Sequence, residues 1–264
     1  MTTQLEASTV ESGARERELY LNLMKRVVTN LIYQDSAVYH GDSYAEIKAG
    51  VREERAFDAS ARESGLDHPR VAHTMVGVKR LDNIQECLES VLADDVPGDF
   101  IETGVWRGGA SIFARAVLKA HGVTDRTVWV ADSFEGLPPN EREPIHLLND
   151  LLAVSEEAVR ENFRRYGLLD DQVRFVKGWF CDSLPTAEVE RLSVLRLDGD
   201  LYESTMDALD NLYPKLSAGG FVIVDDYYFV PGCRLAILEF RRRHGITDPV
   251  REIDGVGTFW RKTG

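Results

Sequence analysis

Hydrophobic positions in the first third of the chain recur at helical spacing. From Glu18 onward this spacing predicts an amphipathic helix, whose apolar positions are Leu19, Leu23, Val27 and Leu31. A second helix is predicted over residues 73–94, ending before Pro97. Between these helices, residues 35–68 are polar and charged, and the pattern predicts a short helix with a mobile loop.

The pattern changes after Pro97 to short apolar runs that alternate with helical segments. The predicted strands are 99–105, 127–132, 173–178, 192–198 and 220–226. The predicted helices are 110–121, 156–167, 182–191, 203–213 and 231–244, followed by a hairpin over 249–261. Alternating strands and helices predict a parallel sheet with right-handed crossovers. The strands are almost continuously apolar, which is typical of a sheet covered on both faces.

This pattern divides the chain into three segments. Residues 1–17 are polar and small and are expected to be disordered. Residues 18–97 form an N-terminal helical segment, and residues 98–264 form an α/β core. Within the core, residues 137–155 contain Pro138, Pro139 and Pro144 among many charges, and a loop of this length in a compact domain is often a lid.

Composition narrows the classes of function. The 264 residues are 44% hydrophobic, which suits one α/β domain with an added helical segment. The 31 basic and 44 acidic residues give a net charge of −13, which disfavours nucleic-acid partners and anionic membranes. The three cysteines, Cys87, Cys181 and Cys233, form no CxxC pair, so neither a disulfide framework nor a zinc knuckle is expected. Without an apolar signal or membrane span, a cytoplasmic protein is expected.

The first core strand ends in a glycine-rich turn. Residues 102–109 read ETGVWRGG, an ExGxxxGG pattern, where glycine lets the backbone turn tightly before a helix begins. The pattern differs from the GxGxxG fingerprint of dinucleotide-binding proteins. It fits a cofactor whose ribose and amino-acid part lie over the loop, such as S-adenosylmethionine, although an ordinary strand-to-helix turn is the alternative.

Side chains after the next two strands suit the rest of such a cofactor. Asp132, followed by Ser133, could accept hydrogen bonds from both ribose hydroxyls, or could instead cap the segment that follows. Trp179 could stack on adenine, or could be a core residue, and Asp182 could accept from the adenine amino group. Ligands of parallel sheets bind at the carboxyl ends of the strands, which is where these residues lie.

Four aspartates follow two neighbouring apolar runs. Asp198 and Asp200 end the run LRLDGD, and Asp225 and Asp226 end FVIVDD. If the strands are adjacent, their axes lie about 4.8 Å apart, and carboxylates this close raise one another's pKa values unless a cation compensates them. Oxygen ligands suit Mg²⁺, Ca²⁺ or Mn²⁺ rather than zinc, although Asp200 could instead cap the helix near residue 203.

A metal in this position suggests a reaction. A divalent cation that chelates two adjacent hydroxyl groups lowers their pKa, and a nearby carboxylate can then accept a proton. Asp200 could be that base if Asp198, Asp225 and Asp226 hold the ion. Beside a cofactor such as S-adenosylmethionine, this arrangement would suit metal-assisted methyl transfer to a hydroxyl group.

Several long motifs resemble the macrocin O-methyltransferase family. They are ETGVWRGGASIFARAVLKA, VWVADSFEGLP, RYGLLDDQVRFVKGWF, LRLDGDLYESTMDAL and GGFVIVDDY, and the resemblance covers most of residues 19–262. The family methylates sugar hydroxyls on macrolide and aminocoumarin antibiotics. The resemblance implies a class I methyltransferase fold with a Rossmann-like seven-stranded sheet, in the order 3-2-1-4-5-7-6 and with an antiparallel last strand. It also implies Mg²⁺ dependence and a homo-oligomer whose N-terminal helices cover the active site.

The resemblance implies roles for individual residues. By matching motif, Asp198, Asp225 and Asp226 would bind Mg²⁺, and Asp200 would be the general base. The residues implied to contact S-adenosylmethionine are Glu102, Thr103, Gly104, Asp132, Ser133 and Asp182, with Thr74 and Met75 closing over it. The loop 137–155 corresponds to the family's substrate lid, and its His146 is an alternative base. The lid matches the family poorly, so the glycosylated acceptor stays undefined.

Three other functions compete with this one. A catechol-type methyltransferase would use similar acidic residues on aromatic vicinal hydroxyls. A Rossmann-type oxidoreductase is disfavoured by the missing GxGxxG pattern. A non-catalytic domain that retains the fold is disfavoured by the four aspartates.

Overall fold

The apolar runs form strands in the computed structural model, which describes residues 2–264 and, of these, the side chains of residues 13–264. In chain order the strands are β1 (Ala37–Tyr39), β2 (Glu53–Arg55), β3 (Asp99–Thr103), β4 (Val128–Asp132), β5 (Val173–Lys177), β6 (Leu192–Leu197), β7 (Leu216–Val224), β8 (Arg251–Glu252) and β9 (Thr258–Arg261). The first two pair as a small antiparallel hairpin, and the others form one sheet.

Helices surround that sheet. In chain order they are α1 (Thr2–Val28), α2 (Tyr44–Lys48), α3 (Ala59–Ser64), α4 (Val78–Ala93), α5 (Gly109–Ala120), α6 (Asn149–Leu152), α7 (Glu156–Arg165), α8 (Phe180–Ser183), α9 (Tyr202–Leu212) and α10 (Pro231–Arg243). Short 3₁₀ turns cover Pro144–Leu148, Leu184–Thr186 and Tyr213–Lys215. Within the part of the chain that the structure describes, no helix combines the length and apolarity needed to cross a bilayer.

The strand order of the large sheet is β5-β4-β3-β6-β7-β9-β8. The neighbours from β5 to β7 are parallel, and β9 runs antiparallel to β7. This is the predicted order with an antiparallel last strand, so the expected α/β methyltransferase architecture is confirmed.

The sheet separates two hydrophobic layers. Neighbouring residues of β3 point to opposite faces, so Phe100 packs in one cluster and Ile101 in the other. Residues of α1, α4 and α5 pack on the first face, and residues of α9 and α10 pack on the second. All six residues of the central strand β6 are buried, as expected for a strand covered on both faces.

A buried arginine organises the N-terminal segment. Arg62 is 1% exposed and donates to Asp35 at 2.8 Å, to Asp67 at 2.9 Å and to the carbonyl oxygen of Thr29 at 2.9 Å. These bonds hold the end of α1, the loop that follows it and α3 together. In addition to the expected short helix, residues 35–68 contain the hairpin of β1 and β2, whose strands of three residues each are too short to be recognised from the sequence pattern.

Two other predictions concern a helix after β5 and disorder at the N-terminus. The predicted helix over 182–191 is wrong, because α8 ends at Ser183 and a 3₁₀ turn over Leu184–Thr186 follows. Pro185 explains this, since proline has no N–H and its ring clashes with the preceding helical turn. The prediction of disorder for residues 1–17 falls largely on residues 1–12, whose side chains lie outside the described part, while residues 13–17 continue α1.

Candidate active site

A cleft opens at the carboxyl ends of the central parallel strands. Seven of the residues predicted for the site line it, and they are Met75, Gly104, Asp132, Ser133, Trp179, Asp198 and Asp200. The sequence reasoning missed other lining residues, among them Trp106, Leu137, Leu152, Phe180 and Ser204. The lid residues Leu137 and Leu152 show that residues 137–155 border the same cleft.

The glycine turn after β3 is shaped by close packing. Gly104 has a φ of 90°, in the left-handed region that favours glycine. A Cβ at this position would also collide with the carbonyl oxygen of Asp198, at the end of the adjacent strand β6. Glycine therefore lets the cleft-lining turn lie directly against the aspartate-bearing strand.

Asp132 is joined to the glycine turn. One carboxylate oxygen accepts the N–H of Val105 at 2.7 Å, and the other accepts the N–H of Phe134 at 2.8 Å. Burial raises the pKa of Asp132, and these N–H donors oppose the rise. A carboxylate oxygen has two lone pairs, so each oxygen retains capacity for a ligand hydroxyl group.

Four of the predicted cofactor residues are not among those that line the cleft. Glu102 is buried and bonds to Ser111 and Arg196. The buried Thr103 donates to the carbonyl oxygen of Arg196 at 3.3 Å. Thr74 is also buried and accepts from the N–H of Val76, whereas Asp182 is exposed on α8.

Three aspartates converge beside the cleft. Carboxylate oxygens of Asp198, Asp225 and Asp226 lie within 4.8 Å of one another, because β6 and β7 are adjacent and parallel. Burial and the neighbouring Asp225 raise the pKa of Asp198 to about 6. Burial, followed by the charges of Asp200 and Asp198, raises the pKa of Asp226 well above its usual range.

This cluster fits a hard divalent cation. Its donors are all carboxylate oxygens, and the buried Oδ2 atom of Asp226 has no hydrogen-bond partner among the described residues. A cation would satisfy that oxygen and remove the mutual repulsion of the carboxylates.

Two arginines compensate the same carboxylates. Arg196 is fully buried and donates to Glu102, to Asp225 and, at 2.6 Å, to Asp198. Arg80 of α4 donates to Asp225 at 2.5 Å. The sequence analysis missed both residues, although a charged residue inside the apolar run LSVLRL was a signal for Arg196.

Asp200 borders the cluster without belonging to the three-residue group. It has a φ of 56°, and burial and the charges of Asp198 and Asp225 raise its pKa well above the usual range. Burial and, to a smaller extent, the nearby charges of Glu143 and Asp200 raise the pKa of Tyr44 to about 12. Tyr44 was also missed, because it lies in the N-terminal segment, far from the other site residues in sequence.

The lid is attached to the core at several points. The carboxylate of Glu143 accepts the N–H of Gly232, in the first turn of α10, at 2.6 Å. Trp106 donates to the carbonyl oxygen of Leu151 at 2.8 Å. His146 accepts from the N–H of Asn140 within the lid and is not among the residues that line the cleft.

The model of one family, described as Macrocin-O-methyltransferase (TylF), matches residues 17–262. This chain belongs to the macrocin-O-methyltransferase family. The membership predicted from the motifs is therefore confirmed, and the protein is an O-methyltransferase.

Curated members of the macrocin-O-methyltransferase family align along most of the chain. An 8-demethyl-8-(2,3-dimethoxy-alpha-L-rhamnosyl)-tetracenomycin-C 4'-O-methyltransferase of Streptomyces olivaceus is 58% identical, over 94% of this chain and 94% of its own. A mycinamicin III 3''-O-methyltransferase of Micromonospora griseorubida is 56% identical, over 93% and 97%. A demethyldecarbamoylnovobiocin O-methyltransferase of Streptomyces niveus is 50% identical, over 97% of each.

A solved structure agrees with this assignment. The structure of the O-methyltransferase NovP superimposes with a TM-score of 0.86 and 49% sequence identity, covering 94% of this chain and 100% of that one. Over 94% of its length this chain therefore shares the fold of a solved O-methyltransferase.

Proposed function

We propose that this protein transfers a methyl group from S-adenosylmethionine to a sugar hydroxyl of a glycosylated natural product, with Mg²⁺ bound at Asp198, Asp225 and Asp226. The observation that carries the proposal is the convergence of these three carboxylates within 4.8 Å, beside the cleft that Gly104 and Asp132 line. One cleft would thus accommodate the nucleoside, with the metal held beside it.

The predicted cofactor residues support the placement of S-adenosylmethionine only in part. Asp132 offers its carboxylate at the end of β4, where a ribose would be bound, and Trp179 offers a ring 36% exposed for stacking. Glu102 and Thr103 would act indirectly, because their side chains hold Arg196 and the strand β6 rather than lining the cleft. Direct contacts would come from Met75, Gly104 and Ser133.

The chemistry follows from the position of Asp200. When bound, S-adenosylmethionine supplies an electrophilic methyl group, and Mg²⁺ lowers the pKa of a coordinated hydroxyl. Asp200 lines the cleft and would accept the proton of the acceptor hydroxyl as the hydroxyl oxygen bonds to the methyl carbon, while the bond from that carbon to sulfur breaks and S-adenosylhomocysteine leaves. The lid, closed by Glu143 on Gly232, would exclude water from this exchange.

The acceptor class is proposed from the relatives. Their printed names describe methylation of a rhamnosyl tetracenomycin, a mycinamicin and a novobiocin derivative. The first of these names specifies a rhamnosyl group, and a sugar hydroxyl of a glycosylated natural product is the acceptor proposed here.

The N-terminal segment, residues 18–97, would cover the active site and mediate homo-oligomer formation. Tyr44 already reaches the charges of Asp200 and Asp226 from this segment. Several large apolar side chains of the segment are exposed, including Leu19 at 63%, Leu23 at 53% and Tyr33 at 85%. An exposed apolar surface of this kind suits burial against a second copy of the chain.

The test is methyl transfer from radiolabelled S-adenosylmethionine to a panel of glycosylated antibiotics and simple catechols. We expect label in a deoxysugar of one glycoside, loss of transfer in EDTA and recovery with Mg²⁺. Full activity in EDTA would disprove the metal site, and transfer to catechols alone would disprove the acceptor class.

Asp226→Asn should weaken Mg²⁺ binding, whereas Asp210→Asn, on the surface of α9, should leave it unchanged.

A further inference from the structure

Arg80 reaches the carboxylate cluster from outside the methyltransferase sheet. It lies in the first turn of α4 and is 5% exposed. Its Nη1 atom donates to Asp225 Oδ2 at 2.5 Å, and its Nη2 atom donates to the carbonyl oxygen of Gly65 at 3.1 Å. The N-terminal segment thus contributes directly to the surroundings of a proposed metal ligand.

Asp225 is held on both of its oxygens. Arg196 donates from Nη2 to Oδ1, and Arg80 donates from Nη1 to Oδ2. Rotation of the carboxylate would break both bonds. Because a guanidinium presents its donors in a rigid plane, the two arginines fix the direction of the Asp225 oxygens more firmly than flexible ammonium groups would.

Arg80 is itself immobilised. Its Nε atom donates to Asp254 Oδ2 at 2.9 Å. The other oxygen of Asp254 accepts from Val256 at 3.0 Å and from Gly257 at 2.9 Å, in the turn between β8 and β9. A Cβ at Gly65 would crowd the guanidinium, so the backbone there packs closely on Arg80.

We propose that Arg80 is a positioning residue that fixes the Asp225 carboxylate and thereby restricts the site to a small divalent cation. The inference rests on the proposed metal site. Mg²⁺ requires ligands at about 2.0–2.1 Å in near-octahedral geometry, whereas Ca²⁺ accepts about 2.3–2.6 Å and irregular geometry. A carboxylate fixed in position cannot move outward to the longer bond length that Ca²⁺ needs. Arg80 would therefore give the site its preference for Mg²⁺ over Ca²⁺.

The experiment is calorimetric titration of the full chain with MgCl₂ and, separately, with CaCl₂. The quantity compared is the ratio of the Kd for Ca²⁺ to the Kd for Mg²⁺. We expect a ratio above one for the unaltered protein and a fall of about tenfold, which corresponds to about 1.4 kcal/mol, for Arg80→Lys and Arg80→Gln. Arg80→Lys retains the positive charge, so a change in that variant reports geometry rather than charge.

Two further variants complete the design. Arg62→Gln removes an equally buried arginine of the N-terminal segment, which pairs with Asp35 and Asp67 and lies outside the cluster. Its ratio should equal that of the unaltered protein. Asp254→Asn retains Arg80 but weakens the ion pair that holds it, so it should lower the Kd ratio by a smaller amount. Circular dichroism shows which variants fold. If the Arg80 variants do not fold, Asp254→Asn still tests the proposal.

The outcomes separate the two proposals. If the unaltered protein binds neither ion, the metal site and this inference are both overturned. If it prefers Mg²⁺, and the folded variants of Arg80 and Asp254 retain the same ratio, only the role of Arg80 is overturned. An equal fall of the ratio in Arg62→Gln would show a general effect of N-terminal destabilisation and would also overturn that role.

Discussion

Arg196 and Glu102 form an ion pair that is closed to solvent, with side chains 0% and 2% exposed. The pair joins the central strand β6 to β3, the strand that leads into the glycine turn. The same guanidinium also contacts Asp198 at 2.6 Å and Asp225. One buried cation therefore compensates three carboxylates, and it links the cofactor side of the cleft to the metal side.

Arg196→Met should strongly destabilise the protein, because it removes the guanidinium that pairs with the buried carboxylates of Glu102 and Asp225 and with the partly buried Asp198. Breaking a buried ion pair from one side costs about 3–5 kcal/mol, which should appear as a lower free energy of unfolding in urea. Arg174→Met on the exposed face of β5 is the control and should change stability by less than about 0.5 kcal/mol. Equal stability of the two variants would contradict the stabilising role of Arg196.

Asp200→Asn should abolish turnover while leaving binding intact. Asparagine tolerates the left-handed backbone that Asp200 adopts at a φ of 56°, so the turn should survive the change. We expect the rate of methyl transfer to fall by about 10²–10⁴-fold, with Kd values for S-adenosylhomocysteine and Mg²⁺ close to those of the unaltered protein. A turnover within about threefold of normal would exclude Asp200 as the general base.

Gly232→Ala should open the lid. A Cβ at this position would overlap the carboxylate of Glu143, so that flexible side chain would have to move, and the bond that it accepts from the N–H of residue 232 should weaken. We expect a higher KM for the acceptor and faster proteolysis within residues 137–155, with little change in stability. Gly13→Ala is a suitable control, because an added Cβ there meets nothing within 4 Å.

The imidazole pair of His40 and His68 should make stability depend on pH. A ring nitrogen of His68 lies 3.0 Å from Nε2 of His40, and burial lowers the pKa of His68 to about 3. The unfolded chain binds a proton at His68 near pH 6.5, whereas the folded chain does not until about pH 3. The stabilisation that the folded protein gains from holding His68 neutral is therefore complete above pH 6.5, and it is lost as the pH falls toward 3.

Thermal unfolding measured between pH 7.5 and 4.5 checks this expectation. In His68→Gln the melting temperature should fall less steeply with acid than in the unaltered protein. His121→Gln, which alters a histidine paired with Glu89, should retain the normal slope. Parallel curves for the unaltered protein and His68→Gln would contradict the expectation.

Much of the site could be predicted from local sequence pattern. The apolar runs before Asp198 and Asp225 are strands in the structure, and the carboxyl ends of adjacent parallel strands must meet at one edge. That rule brings the aspartates together once the two strands are neighbours, and the structure shows that β6 and β7 are. Pattern failed at residues 182–191, where Pro185 outweighed a helical spacing. It also failed at the β1–β2 hairpin, whose strands of three residues each are too short to show alternation.

The sequence by itself determined the fold class and placed the four aspartates at strand ends, because periodicity and strand-end position depend on near neighbours in the chain. The strand order was implied by the resemblance of its motifs to the macrocin O-methyltransferase family. Only the tertiary structure decided which side chains face the cleft and which support it. Glu102 adjoins the glycine turn in sequence, yet its carboxylate bonds to Arg196. Arg80 and Asp225 are 145 residues apart and meet because α4 packs against the sheet. Such contacts depend on how elements pack together, and no local pattern records that packing.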